Sequence, residues 1–248
     1  WDDQLPHFVG TPAMNVVGKY ISVGLNIVLG TRIVKIEHTD RWRLWDDQGV
    51  NIGDFDWVIS TVPAGQSLDI LPSSVSFYPD IETVKMKACF SLMLGFEKAL
   101  PLAFDAAHVA GADISWISVN SSKPGRSEAF SLLVHSTNLW ANAHLHDARE
   151  TVLAYLCQQT SETIGHDVSD AAHQSVHGWH FANLEKQIGA THYLDADAQI
   201  AACGDWCIQG RVEAAFTSGR ALASEILRAL GSSGIAPTDT LPPGENHA

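Results

Sequence analysis

The sequence predicts a mixed α/β (α+β) chain: an antiparallel sheet with helical cover in the middle, and a smaller part whose strands come from both sides of that middle. Three observations predict this. Short β-branched runs separated by turn residues recur through the chain, one long amphipathic stretch interrupts them, and an apolar strand runs into a polar turn and a long helix near the end. Hydrophobic residues at 46% against 17% charged residues exclude a disordered or fibrous chain. Lys and Arg number 15 against 28 Asp and Glu, a net charge of −13, which disfavours phosphate backbones and anionic lipid surfaces, so neither nucleic acid nor membrane is expected as a partner. No apolar run approaches the ~18–20 residues that span a bilayer.

In chain order, Thr11-Pro12 reads as a helix start, a hydroxyl cap followed by proline at the first helical position, with the helix carrying Val16, Val17 and Tyr20 to a terminating Gly24. Residues 25–28, 32–37, 41–45 and 56–61 read as short strands of a meander, with turns at 46–49 and 51–54. The unalternating run Trp57-Val58-Ile59-Ser60 suits a buried parallel strand. From about 73 to 196, strands are expected at 89–96, 114–119, 130–135 and 173–180. A helix is expected over 147–164, with Val152, Leu153, Leu156, Thr160 and Ile164 on one stripe. Gln199 to Asp205 reads as a strand entering a turn. A long helix follows from Arg211 or Val212, with Val212, Ala215, Phe216, Gly219, Ala223, Ile226, Leu227 and Leu230 along its apolar stripe. Past Gly231 the Gly/Ser/Pro/Thr-rich end predicts disorder. The first residues, Trp1 to Pro6, have neither the basic nor the apolar region of a signal peptide, and a chain opening on Trp is expected to lack upstream sequence.

Four cysteines in a chain of this length do not form a disulfide framework. Cys203 and Cys207 are four apart, with three residues between them where a zinc or redox pair more often has two. Reduced, buried thiols of a cytoplasmic protein are the expectation. Among twelve histidines, His144 with His146 and His177 with His180 are the closest pairs, but no third ligand accompanies either, so no metal is expected.

The strand–turn–helix at 199–230 carries the chemistry. A helix N-terminus offers free N–H groups and about half a unit of positive charge, where something that becomes negative can sit. Asp205, just past the strand, either accepts hydrogen bonds from ligand hydroxyls or caps the turn. Ala214, Ala215, Ser218 and Gly219 let the helix lie close to a sheet or to a flat ligand.

Residues 203–227, CGDWCIQGRVEAAFTSGRALASEIL, resemble the C-terminal FAD-binding segment of the flavin-containing amine oxidase superfamily, and most of all its renalase-like bacterial branch. The segments 8–14, 31–37 and 56–63 are similar to three further stretches of that family, and 121–126 and 140–145 to renalase-like sequences specifically, so the resemblance spans about 5–230. It implies an incomplete FAD-binding, Rossmann-like domain (11–72 with 197–230), an antiparallel-sheet substrate domain (1–10 with 73–196) and a tail at 231–248. FAD would be the cofactor. Ile33 would present backbone to adenine, Thr61 and Pro63 would shape a wall, Gly204 and Asp205 would meet the ribityl chain, and the helix start at Arg211, Val212, Glu213 and Ala214 would face the flavin. The plainer reading is a solvent-exposed helix start for Arg211 and helix stabilisation in the first turn for Glu213. Trp179 and His180 are the substrate-side candidates, Trp179 also reading as an ordinary core aromatic, and no catalytic base is named.

The implied reaction moves hydride from a reduced nicotinamide-type substrate and passes the electrons to oxygen. Oxidation of a small amine, or a non-catalytic remnant, are the alternatives. The family's G-x-G-x-x-G fingerprint is absent from these 248 residues, so on their own they are expected to be inactive and to bind FAD weakly or not at all. Ala214 stands where relatives carry Gly in "V-E-G-A". His180 stands where they often carry Arg, which bears on substrate preference.

Overall fold

The computed structural model describes residues 8–187 and 189–231, which fall into two compact units. The first takes the chain up to Thr31 and Met86–Glu185. The second takes Arg32–Lys85 and the chain from Lys186 onward. This division differs from the sequence reading. It assigns 11–31 to the sheet-rich first unit, and 73–85 and 186–196 to the second. The expected disorder past Gly231 concerns residues outside those described.

The first unit is built on a five-stranded antiparallel sheet. Its strands are β5 (Met86–Gly95), β6 (Ala106–His108), β7 (Ile114–Val119), β8 (Ser131–Ser136) and β9 (His173–Leu184), in the order β6-β7-β8-β5-β9. All four strands expected for this region are present, β9 extending four residues further than predicted. One face is the core: Phe90, Leu92, Leu94, Ile117, Leu132 and Val134 are buried there with Val152 and Leu156 of helix α5 (Arg149–Ile164). The predicted α5 stripe is confirmed, with Cys157 added to it, and the helix closes on Gly165 in the left-handed conformation at φ 70°. Helix α4 (Asn138–His144) was not foreseen; Thr137 caps it by accepting from the Trp140 N–H. His144 ends this helix and stacks on Trp140 at 4.3 Å.

Two expectations near the start are corrected. Helix α1 is Val16–Ile21, not a helix from Pro12 to Gly24. The Thr11 hydroxyl donates to the Pro124 carbonyl at 3.5 Å instead of capping, and 14–15 form the turn that leads into the helix, the Val16 and Val17 N–H groups donating to the Ala13 and Met14 carbonyls. Residues 25–28 form no strand. Leu25, Ile27 and Val28 are exposed, and β-branched composition makes no strand where no neighbour supplies the ladder.

The second unit holds an antiparallel meander of β1 (Ile33–His38), β2 (Trp42–Asp46) and β3 (Asn51–Phe55). The turn expected at 51–54 is strand instead. The Asp46 carboxylate accepts from the N–H of Gln48 and of Val50 and completes the reversal earlier. Strand β4 (Val58–Ser60) leaves the meander for a second sheet, β10 (Tyr193–Asp195)–β11 (Ile200–Ala202)–β4, where it runs parallel to β11 as expected. Only Ser60 of β4 is fully buried, so the strand is less enclosed than its apolar run suggested. Helices α2 (Ala64–Ile70) and α3 (Tyr78–Glu82) follow β4, and α6 (Val212–Ala229) follows β11.

The apolar stripe expected on α6 is not its buried face. Ala214, Ser218 and Leu222, at four-residue spacing, are buried, while Val212 and Phe216 are 64% and 56% exposed. Small side chains bring the helix close to the 3-10 turn Asp205–Cys207 after β11, and the Ser218 hydroxyl anchors that face. The bulkier Val212 and Phe216, two positions to either side of Ala214, stay exposed.

Candidate functional site

Parallel β4 and β11 end side by side, Ser60 opposite Ala202, and the Cys203 N–H continues the ladder by donating to the Ser60 carbonyl at 3.0 Å. Just past these carboxyl ends lie Thr61, Val62 and Pro63 on one strand and Gly204, Asp205 and Trp206 on the other. In open α/β sheets this is where ligands bind. Pro63 starts α2, and the Ser60 and Ser67 hydroxyls share a 2.9 Å hydrogen bond beneath it. Thr61 is exposed and Pro63 half-buried.

The turn after β11 is held from several sides. The Trp206 indole N–H donates to the Val62 carbonyl at 3.0 Å, tying the two strand ends together, and its ring stacks on Tyr193. The Gly204 N–H donates to Ser218 Oγ at 3.1 Å, and that hydroxyl donates to the Thr191 carbonyl at 2.6 Å. A Cβ on Gly204 would lie 2.6 Å from the Trp206 indole nitrogen, so only glycine permits this approach. The backbone carbonyl of Asp205 accepts from the N–H groups of Ile208, Gln209 and Gly210. The turn is thus closed by main chain, and the half-buried Asp205 carboxylate has no hydrogen-bond partner among the described residues. The Asp205 side chain does not cap the turn.

Helix α6 begins with Arg211 in extended conformation, and no side chain caps it. The first N–H groups, at Val212, Glu213 and Ala214, have no acceptor within the helix. Arg211, Val212 and Glu213 are exposed and Ala214 buried. The positive end of an 18-residue helix is therefore left open beside the Asp205 turn. Cys207 lies below, its thiol pushed up to about 12 by burial, and burial raises Cys203 too. All four cysteines are free and buried, as expected from sequence.

The structure thus gathers Thr61, Pro63, Gly204, Asp205 and the 211–214 helix start within the second unit. Ile33, the first residue of β1, is in the same unit but in the meander sheet, on an edge strand with backbone groups on its outer side. Trp179 and His180 are on β9 of the first unit. Trp179 is no core aromatic: it is 53% exposed, its indole N–H donates to Ser91 Oγ at 3.1 Å, and it meets His177 edge to face. His180 is exposed. Sequence reasoning gave Val62 no role and did not show that Trp206 and Ser218 hold the turn. A tryptophan directly after Gly-Asp was a visible signal, but its acceptor 144 residues away was not.

An open parallel pair with a turn and an uncapped helix at its carboxyl end is the arrangement at which open α/β sheets bind ligands. The sequence matches the family of flavin-containing amine oxidoreductases over residues 6–227, and the chain belongs to that family. Among solved structures it is similar to a candidate protoporphyrinogen oxidase from Exiguobacterium sp. 255-15, at 17% identity and TM-score 0.68, covering 88% of this chain and 51% of that one. It is also similar to a putrescine oxidase solved with putrescine, at 10% identity and TM-score 0.61, covering 86% and 51%. At these identities the likeness is one of fold. The chain spans about half the length of the solved relatives it matches. Membership makes it flavoenzyme-like by family, and no helix among the described residues is long and apolar enough to cross a membrane.

Proposed function

We propose that this chain forms part of an FAD-dependent oxidase acting on a small reduced nicotinamide-type molecule, with oxygen as the final acceptor, in the manner of the renalase-like branch. The observation that carries it is the free Asp205 carboxylate beside the uncapped start of α6, at the carboxyl ends of two parallel strands. Asp205 can accept hydrogen bonds from the hydroxyls of a ribityl chain. Gly204 lets the main chain come close, and the N–H groups of Val212, Glu213 and Ala214 offer positive potential to a ring that gains negative charge. The exposed Arg211 can add to that potential. Ile33 offers edge-strand backbone to an adenine, and Thr61 with Pro63 forms a wall. FAD, when bound, supplies the hydride acceptor and the route for electrons to oxygen. Trp179 and His180 are the residues assigned to the substrate side.

Oxidation of a small amine is the second reading, favoured by the family and by the putrescine-bound relative. That reading calls for a pair of aromatic side chains beside the amine, for which Trp206 and Trp179 are the candidates; against it, Trp206 is buried with its indole nitrogen engaged. In the 248 residues alone, which contain no G-x-G-x-x-G run, FAD binding should be weak and turnover absent.

Titration with FAD, followed by flavin fluorescence, tests the site. Binding is expected, and Asp205→Ala should weaken it about tenfold, as loss of hydrogen bonds to a charged group does. No change of flavin fluorescence at any concentration sinks the assignment and leaves the non-catalytic reading. Anaerobic flavin bleaching in a flavin-loaded protein containing this chain, by a dihydronicotinamide but not by putrescine, separates the two substrate classes.

A further inference from the structure

The turn that carries Gly204 and Asp205 is held on both flanks by one short segment, residues 191–193. On one flank the Thr191 carbonyl accepts from the Ser218 hydroxyl at 2.6 Å, and that hydroxyl accepts from the Gly204 N–H at 3.1 Å. On the other flank the buried Tyr193 ring stacks on Trp206 at 5.9 Å, and the Trp206 indole reaches across to Val62. His192, between the two, is bonded to α6. Its Nε2 lies 2.5 Å from Glu225 Oε2, and its Nδ1 lies 3.1 Å from the Thr191 hydroxyl. A carboxylate only accepts, so Nε2 carries the proton, and in the neutral ring Nδ1 accepts from the Thr191 O–H. Both ring nitrogens are thus engaged, as a side chain only 15% exposed requires, whereas Glu225 is 46% exposed.

Ser218 and Glu225 stand seven residues apart on α6, two helical turns, and so on one face about 10 Å apart along the axis. The 191–192 peptide is therefore fastened to that face at two points, through main chain at Ser218 and through a ring at Glu225. One hydrogen bond leaves a linking segment free to swing about it. The second point fixes where the Thr191 carbonyl sits. Glu225, His192, Thr191, Ser218 and Gly204 thus form one line of hydrogen bonds, from a half-exposed carboxylate to the turn, inside the second unit. A pair with a half-exposed partner adds little to overall stability. Its effect is local: without it the Thr191 carbonyl loses its fixed place, Ser218 loses its acceptor, and the Gly204 amide loses a rigid partner.

We propose that His192, held by Glu225, is a positioning residue for the Gly204–Asp205 turn: it keeps the Thr191 carbonyl where Ser218 can hold the Gly204 amide. That the turn so held receives a flavin rests on the reading above; the holding stands on the second unit's own hydrogen bonds. Asp205 is the next residue after that amide, so the clasp at the far side of α6 also sets how firmly its carboxylate is presented.

Amide hydrogen exchange of the ligand-free 248-residue protein, resolved by NMR at a single pH, tests this. Glu225→Ala is expected to speed exchange of the Gly204 amide about tenfold, as loss of a hydrogen bond to a charged group does. The Leu44 amide, on the central strand of the meander in the same unit, should change less than about twofold. Glu225→Gln, whose side-chain carbonyl still accepts from Nε2, should bring the Gly204 rate most of the way back. The deciding comparison is the double variant. Ser218→Ala already cuts the line, so adding Glu225→Ala should leave the Gly204 rate where Ser218→Ala alone sets it. A Gly204 rate indifferent to Glu225→Ala, an equal acceleration at Leu44, no recovery in Glu225→Gln, or fully additive effects in the double variant overturns the proposal. No flavin is present in this experiment, so a failed FAD titration sinks the flavin reading and leaves the exchange result standing.

Discussion

Gly204 has the indole of Trp206 where a methyl group would otherwise sit, 2.6 Å from its ideal Cβ. Gly204→Ala must push the indole off the Val62 carbonyl and open the joint between the ends of β4 and β11. We expect a loss of about 1–3 kcal/mol, the usual range for overpacking, read by urea unfolding followed through tryptophan fluorescence. An unchanged midpoint would show that the turn has slack. The cysteines make a second residue-scale prediction. Burial raises the thiols of Cys89, Cys157, Cys203 and Cys207, Cys207 to about 12 from an ordinary 9.0. The unfolded chain therefore loses these protons first as pH rises. The stability they contribute is whole below about pH 9 and falls as pH climbs toward 12. At pH 8 the native protein should leave a colorimetric disulfide reagent unreacted, with all four thiols appearing on denaturation; rapid reaction of a native thiol contradicts the burial.

At the scale of elements, α6 is held by a polar contact within a small-residue face. The Ser218 hydroxyl joins the Gly204 N–H to the Thr191 carbonyl. Ser218→Ala leaves both groups buried without their partner and should cost about 1–3 kcal/mol. Ser218→Thr, which keeps a hydroxyl, should restore part of it if the added methyl is accommodated. Hydrogen exchange should show faster exchange of the Gly204 amide in Ser218→Ala, and an unaltered rate would remove this hydroxyl from the account. The helix also shows where periodicity misleads. Its stripe of large apolar residues looks like the packing face, yet Val212, Phe216 and Leu230 are exposed and the alanine–serine row is inside. Hydropathy weighs side-chain size, whereas close approach to a strand rewards its absence.

At the scale of the whole molecule, many large apolar side chains among the described residues are exposed. Tyr20, Ile21, Val23, Leu25, Val28 and Leu29 follow one another in the first unit, and α6 adds its own open face in the second. Surfaces of this kind seek cover. We expect concentration-dependent association in sedimentation velocity between about 1 and 100 μM, a range typical of modest apolar interfaces. It should persist at high salt because the driving force is apolar, and Val23→Ser with Leu29→Ser should reduce it. A monomer at every concentration would refute this.

Four strands of the five-stranded sheet (β5, β7, β8 and β9), helix α5 and the β11–turn–α6 unit were legible in the sequence, because each has its own period and its own stop signals: β-branched runs, Gly165, and Gly204-Asp205; the three-residue β6 was too short to show one. The candidate turn at Asp205 was legible for the same reason. The short helices α2, α3 and α4 were not, since five to seven residues carry less than two turns of pattern. What only the tertiary structure decided is which backbone groups find partners. It took 25–28 out of the strands for want of a neighbour, moved β4 from the meander to β11, tied Trp206 to Val62, and left Asp205 and the start of α6 unpaired. Local sequence specifies what a segment can form; whether its polar groups are satisfied, and so whether they remain open to a ligand, depends on residues more than a hundred positions away.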